Sequence, residues 1–171
     1  MRNPHSGKLE DYRVPDFSLT DQQNHSVSSE SLGATVQVVD FFFTSCASIC
    51  PRMTANMKLV QEAFVSAPAL RLLSFTIDPE NDTVERLREY GEEHGIDPRR
   101  WSLLTGDEDV ILELSKGFKV RAFEEMHGEE RNLIHDGTFV LVDPQRRIRG
   151  YYDGRDHADV LRLIDDIRIL L

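Results

Sequence analysis

The stretch V-Q-V-V-D-F-F-F-T-S-C-A-S-I-C-P-R-M (36–53) decides how the rest of this 171-residue chain is read. Val36 to Phe43 is a run of β-branched and aromatic residues, too short for a helix and apolar on both of its alternating sides, so it predicts a central strand covered on both faces. Two cysteines follow directly, Cys46 and Cys50. Pro51 suits the first position of a helix, which puts Cys50 at or beside the N-cap and Cys46 in the loop before it. Open α/β sheets place their ligand sites where a strand hands over to a helix. Unpaired N–H groups and the helix dipole there favour a thiolate, so at least one cysteine is expected to have a lowered pKa.

Working outward, residues 51–67 set Met53, Met57, Val60 and Phe64 on one face of an amphipathic helix. Leu70 to Ile77 is the next strand, closed by Asp78-Pro79. A helix starts near Asp82, with Val84, Leu87 and Tyr90 on one side, and stops near Gly91 or Gly95. Trp101 to Thr105 is a short strand, and Asp107 to Lys116 a helix with an acidic first turn that suits its dipole. Residues 121–135 fit neither period and predict a protruding loop or small hairpin tipped at His127-Gly128. Thr138–Val142 and Ile148–Tyr152 are strands around the turn D-P-Q-R, with Tyr151 and Tyr152 packing the last one. Asp156 to Leu170 is a closing helix with Ala158, Leu161 and Ile164 inward. Upstream, D-F-S-L-T-D-Q-Q-N-H-S-V (16–27) predicts a hairpin about the D-Q-Q-N turn, followed by a helical turn at S-S-E-S-L. Strands alternating with helices give an α/β sandwich with a mixed central sheet, helices on both faces and an N-terminal hairpin. Residues 1–13 read as a flexible lead-in or cloning remnant, and 14–171 as one domain.

Acids outnumber bases by enough to leave a net charge of -10, which opposes binding to nucleic acid or anionic membrane surfaces. No stretch approaches the roughly eighteen apolar residues of a membrane span. The start M-R-N-P-H-S-G-K has no apolar core and is no signal peptide.

The cysteine pair has three possible uses: two neighbouring core residues, a dithiol–disulfide couple, or a metal site. C-x-x-C is the commoner redox spacing, although three intervening residues still let the pair close. Two thiolates are soft donors that suit copper(I) or zinc, and an imidazole would complete a three-coordinate copper(I) site. A structural zinc normally takes four protein ligands and no second cysteine pair exists, so copper is favoured. Asp78 reads as a turn or capping residue, with a role beside the metal as the lesser option. His5, His25, His94, His127 and His157 read as surface residues. Met126 and His127 could pass copper(I) transiently.

Four segments, V-V-D-F-F-F-T-S-C-A-S-I-C-P (38–51), F-T-I-D-P-E-N-D-T-V-E-R-L (75–87), W-S-L-L-T-G-D-E-D-V-I (101–111) and L-I-H-D-G-T-F-V-L-V-D-P (133–144), together resemble the Sco/SenC family. The likeness runs from about Pro15 to the C-terminus. It implies a thioredoxin-like fold and copper ligation by Cys46, Cys50 and His135, with Cu+ preferred and Cu2+ accepted. It also implies a role in assembling the dinuclear copper centre of cytochrome c oxidase, with a copper-accepting oxidase subunit as partner and another copper chaperone as an optional donor. The protein would then be a monomeric metallochaperone at the periplasmic or extracytoplasmic face of the plasma membrane, held by an N-terminal anchor outside this sequence. Ala47 departs from the proline usual after the first cysteine. The loop 133–137 also lacks the proline that redox enzymes of the thioredoxin type carry there, which favours a ligand at His135. The alternative is a thiol–disulfide oxidoreductase, with Cys46 and Cys50 as the catalytic dithiol, that keeps the oxidase's copper-ligand cysteines reduced. Thr44, two residues before Cys46, raises a peroxidase as a weaker option, and a partner-binding domain with no chemistry is the last.

Overall fold

A computed structural model describes residues 13–46, 50–120, 122–127, 130–135 and 137–171, without the side chains of the segments between 122 and 135. The lead-in up to residue 12, His5, Ala47, Gly128 and the side chains of Met126, His127 and His135 therefore lie outside the described residues.

The centre is β3 (Val36–Phe42), every residue of which is buried. It lies between β4 (Leu70–Thr76), parallel to it, and β8 (Thr138–Val142), antiparallel. β5 (Trp101–Leu104) extends the sheet beyond β4, and β9 (Ile148–Asp153) beyond β8, giving the order β5-β4-β3-β8-β9. This is the mixed sheet expected from the pattern, and its period of two divides two cores. Val36, Val38 and Phe42 face one core, closed by α2 (Cys50–Ala63), α3 (Val84–His94) and α5 (His157–Leu170). Val39 and Phe41 face the other. That side is closed by α1 (Ser29–Leu32), α4 (Glu108–Gly117) and the hairpin of β1 (Ser18–Thr20) and β2 (Ser26–Ser28). A strand with helices on both of its faces has no solvated side, which is why no polar alternation marks β3.

The caps explain where the helices stop and start. Thr83 accepts the amide of Arg86 at the start of α3, and Gly95 ends it in the left-handed conformation, φ 66°. α2 is shorter than the sequence suggests because Pro68 disfavours helix at Ala67, and the chain turns at Phe64 instead. It also begins one residue early, on Cys50 itself.

Two expectations are corrected. In α5 the inward face is Val160, Leu163, Ile164 and Ile167, while Ala158 is exposed and Leu161 is 48% exposed. The apolar residues of this helix occupy more than one face, and packing against β9 and α2 selects the stripe one step round from that expected. His94 is not a bare surface residue: its ring stacks on Tyr90 at 4.0 Å and its Nδ1 donates to the Tyr90 carbonyl at 2.9 Å.

The region that fitted neither period is a hairpin. β6 (Ala122–His127) and β7 (Glu130–His135) pair antiparallel, with Ala122 opposite His135 at the base and His127 opposite Glu130 near the tip.

Candidate metal and redox centre

Phe42 ends β3, and Cys46 returns its amide to the Phe43 carbonyl at 3.2 Å, folding the loop back over the strand end. Cys50 opens α2, is 1% exposed, and packs in the core with Phe42, Met53 and Met57; Cys46 packs against the same core and is less covered. Both are thiols, hydrogen-bonded to one another, and Cys50 also receives a backbone bond from Phe43. Among the described residues no three His, Cys, Asp or Glu side chains converge, so the candidate centre is described at its two sulfurs alone.

Cys50 is not the cysteine for which the sequence-based expectation of a lowered pKa holds. Burial pushes its thiol up, with the neighbouring Cys46 and Asp40 acting in the same direction, and the Phe43 backbone bond opposes this only in part. A helix N-terminus favours a thiolate only so far as the sulfur keeps polar surroundings, and here an apolar core outweighs the dipole.

Beneath the sulfurs lies a polar layer with little signature in sequence. Asp40, on the Cys50 face of β3, stands opposite Ser74 of β4 in register. Ser74 donates to the Asp40 carboxylate and accepts from Trp101 Nε1 at 2.9 Å. Burial raises the Asp40 pKa to about 7 despite the Ser74 bond. Beside it, the hydroxyls of Tyr90 and Thr54 hydrogen-bond at 2.7 Å, and burial pushes the Tyr90 phenol up to about 12.

Asp82 fastens the cysteine loop from the other side. Its carboxylate is 1% exposed and accepts the Thr44 amide at 3.1 Å, the Thr44 hydroxyl, and the Thr76 hydroxyl at 2.6 Å. Arg86 Nε donates to the Thr44 hydroxyl at 3.3 Å. One buried acid thus ties the loop carrying Cys46 to the end of β4 and to α3. The sequence pattern starts the helix near Asp82; Thr83 caps it and Asp82 turns inward. Asp78 is buried as well, with its carboxylate holding the Asn81 amide nitrogen at 3.1 and 3.0 Å and its amide bonded to Thr76, the turn role expected.

The backbone of His135 ends β7, and its imidazole lies outside the described residues. Gly137, two residues on, is anchored: its carbonyl accepts from the Gly154 amide at 2.8 Å, and the Gly154 carbonyl accepts from Asn56 Nδ2 of α2 at 2.7 Å. Gly137 takes φ 77°, which a side chain would resist. Two hydrogen bonds therefore connect the base of the hairpin to the helix that carries Cys50.

The family profile SCO1/SenC matches residues 6–171. A SCO1/SenC family lipoprotein from Bacillus anthracis superposes with a TM-score of 0.83 at 29% identity, over 94% of this chain and 95% of that one. BsSco, a member of the Sco family of cytochrome c oxidase assembly proteins in which a disulfide switch is identified, gives 0.80 at 32% identity, over 95% and 96%. ScoI of Bradyrhizobium japonicum, solved with copper bound, shares the fold at a TM-score of 0.77 and 22% identity, over 93% and 99%. The thioredoxin-like α/β frame, the paired thiols at the end of its central strand and a match along nearly the whole length lead to one conclusion: this chain belongs to the SCO1/SenC family.

Proposed function

We propose that this protein is a copper chaperone for the dinuclear copper centre of cytochrome c oxidase, in which residues 14–171 form one copper-binding domain and Cys46, Cys50 and His135 hold the ion. The observation that carries the reading is the contact between the two thiols at the strand-to-helix junction. Two adjacent soft donors with one imidazole match the preference of copper(I), and copper(II) is accommodated by adding an oxygen donor. The tie from Gly137 through Gly154 to Asn56 supports His135, because it holds the segment beside that residue to the cysteine helix. Family membership supports the cargo and the destination, since a relative is solved with copper and another belongs to the oxidase assembly proteins. The ion is cargo here, to be taken up and passed on. An oxidase subunit is the acceptor and a second chaperone an optional donor, and the domain works as a monomer at the extracytoplasmic or periplasmic face of the plasma membrane. The lipoprotein relative supports an N-terminal anchor.

Titration of the reduced protein with copper(I) in a competing chelator is expected to give one equivalent bound, with X-ray absorption counting two sulfur and one nitrogen donors. His135→Ala should weaken the affinity by at least about tenfold, the scale of one lost ligand or its orientation. A variant that kept full affinity for both copper(I) and copper(II) would remove His135 from the set.

A second reading, thiol–disulfide exchange that keeps the oxidase's cysteines reduced, is favoured by the disulfide switch of BsSco and uses the same Cys46–Cys50 dithiol. The reduction potential of the pair, measured against glutathione, separates the two.

A further inference from the structure

At the other end of the sheet from the cysteines, positive charge collects in a hollow. β3, β4 and β5 run parallel, so the segments that lead into β4 and β5 lie opposite the edge where β3 gives way to Cys46. A cavity of about 350 Å³ opens there, walled by Val65 and Leu70 and lined by Arg71, Asp97, Arg99 and Arg100.

The charges in this hollow do not balance. Asp97 takes Arg99 on both oxygens, at 3.0 and 2.9 Å, and this pairing holds its carboxyl below the usual range. Among the described residues Arg100 bonds only neutral acceptors, the carbonyls of Val65 and, at 2.8 Å, Ala67. Among the described residues Arg71 has one long bond, Nη2 to Ser102 Oγ at 3.4 Å, and its buried Nε has no acceptor. The acid nearest in effect to Arg71 is Asp21, whose Oδ1 accepts the amides of Gln23 and His25, while Arg100 opposes it with like charge. Two guanidinium groups thus share one hollow with no carboxylate among the described residues bonded to either, in a chain of net charge -10. A guanidinium stays charged when buried, so donors left without acceptors are costly unless something else supplies them. Its planar fork matches the oxygens of a phosphate.

We propose that this hollow is a binding site for a phosphate-type oxyanion, gripped by Arg71 and Arg100 with the Arg99–Asp97 pair at its rim. The apolar wall at Val65 and Leu70 leaves place for the organic part of a phosphate ester. Inorganic phosphate, a soluble ester and a phospholipid headgroup share this chemistry. The site uses none of the residues assigned to copper and stands or falls separately from that reading.

The test uses the whole reduced protein. Amide spectra are followed while inorganic phosphate replaces chloride at constant ionic strength, and in a second arm the protein is sedimented with phosphatidylglycerol or phosphatidylcholine vesicles. The expected result is saturable shifts at Ser66, Leu70, Arg71 and Asp97 to Arg100, or capture by phosphatidylglycerol alone. The first identifies a free phosphate or ester and the second a headgroup. Arg71→Leu, which removes the buried donors without leaving a hole, should weaken either response by about tenfold, the scale of lost charge-assisted bonds. Arg71→Lys, which keeps the charge and loses the fork, should weaken it less and serves if the leucine variant does not fold. Absence of both responses in the wild type, or an undiminished response in the variants, would overturn the proposal.

Discussion

Asp40 is buried in the layer under Cys50 with the Ser74 hydroxyl on its carboxylate, and burial lifts its pKa from 3.8 to about 7. A folded-state pKa above the unfolded one means that the folded protein holds the extra proton between those two values. Stability from this group is therefore greatest below about pH 4 and falls as pH rises toward 7, after which it is level. The difference is on the order of 4 kcal/mol at most, by the conversion of 1.36 kcal/mol per pKa unit. Asp40→Asn keeps an acceptor for Ser74 and removes the titration. Urea unfolding of the copper-free protein at pH 5 and pH 8 should show the asparagine variant gaining on the wild type at the higher pH, and equal pH dependence of the two would refute the assignment. Asp82 gives a second prediction at this scale. Asp82→Ala strands the Thr44 amide and hydroxyl and the Thr76 hydroxyl, and should cost about 2–4 kcal/mol in the same unfolding measurement. Because Thr44 lies two residues before Cys46, the variant should also alkylate faster at Cys46. A stability loss with an unchanged alkylation rate would show that the clamp does not govern the loop.

At the scale of elements, α5 separates what a helical pattern can and cannot tell. Leu163 is fully buried and Leu161 is half exposed, although both are leucines within one turn. Leu163→Ala should cost about 2–4 kcal/mol, while Leu161→Ala should stay within roughly 0.5 kcal/mol, read from paired unfolding midpoints. The sequence shows that a helix closes the chain, because its cap Asp156 and its apolar spacing are local. The stripe that turns inward is set by β9 and α2, and no window of the helix contains them. The same division runs through the site. Cys46 and Cys50 are legible because a buried strand, two cysteines and Pro51 follow one another within 16 residues. Asp40, Ser74 and Trp101 come from three strands, and Asp82 meets Thr44 across 38 positions, so their bonds exist only once β3, β4 and β5 are in register. The expected lowering of a cysteine pKa also met a tertiary effect at Cys50, where the core formed by Met53 and Met57 desolvates the sulfur that the helix end alone would favour.

At the scale of the molecule, the two cores clamp the sheet from its two faces, and the cysteine pair sits where its central strand ends. The proposed copper delivery and its thiol-exchange alternative would compete there for the same two sulfurs. Closing the Cys46–Cys50 disulfide takes two electrons and two protons from the thiols and needs an external oxidant, and the product has no thiolate left for a soft cation. Copper(I) on the pair should in turn keep oxidant and alkylating agent away from it. Protein oxidised beforehand with diamide is expected to bind less than about a tenth of the copper(I) taken up by reduced protein, and dithiothreitol, removed before loading, should restore one equivalent. Loading should also raise the thermal midpoint, since an ion held at a hundredfold excess over its dissociation constant adds about 2.7 kcal/mol to the folded state. Cys46→Ser and Cys50→Ser should each lose both the uptake and the shift, with folding monitored by circular dichroism. The two cysteines would be excluded as the copper ligands by oxidised protein that still bound a full equivalent with the affinity of the reduced form. An oxidised form that bound none, formed at a potential the glutathione pool can reach, would instead make the pair a switch in which reduction licenses metal uptake.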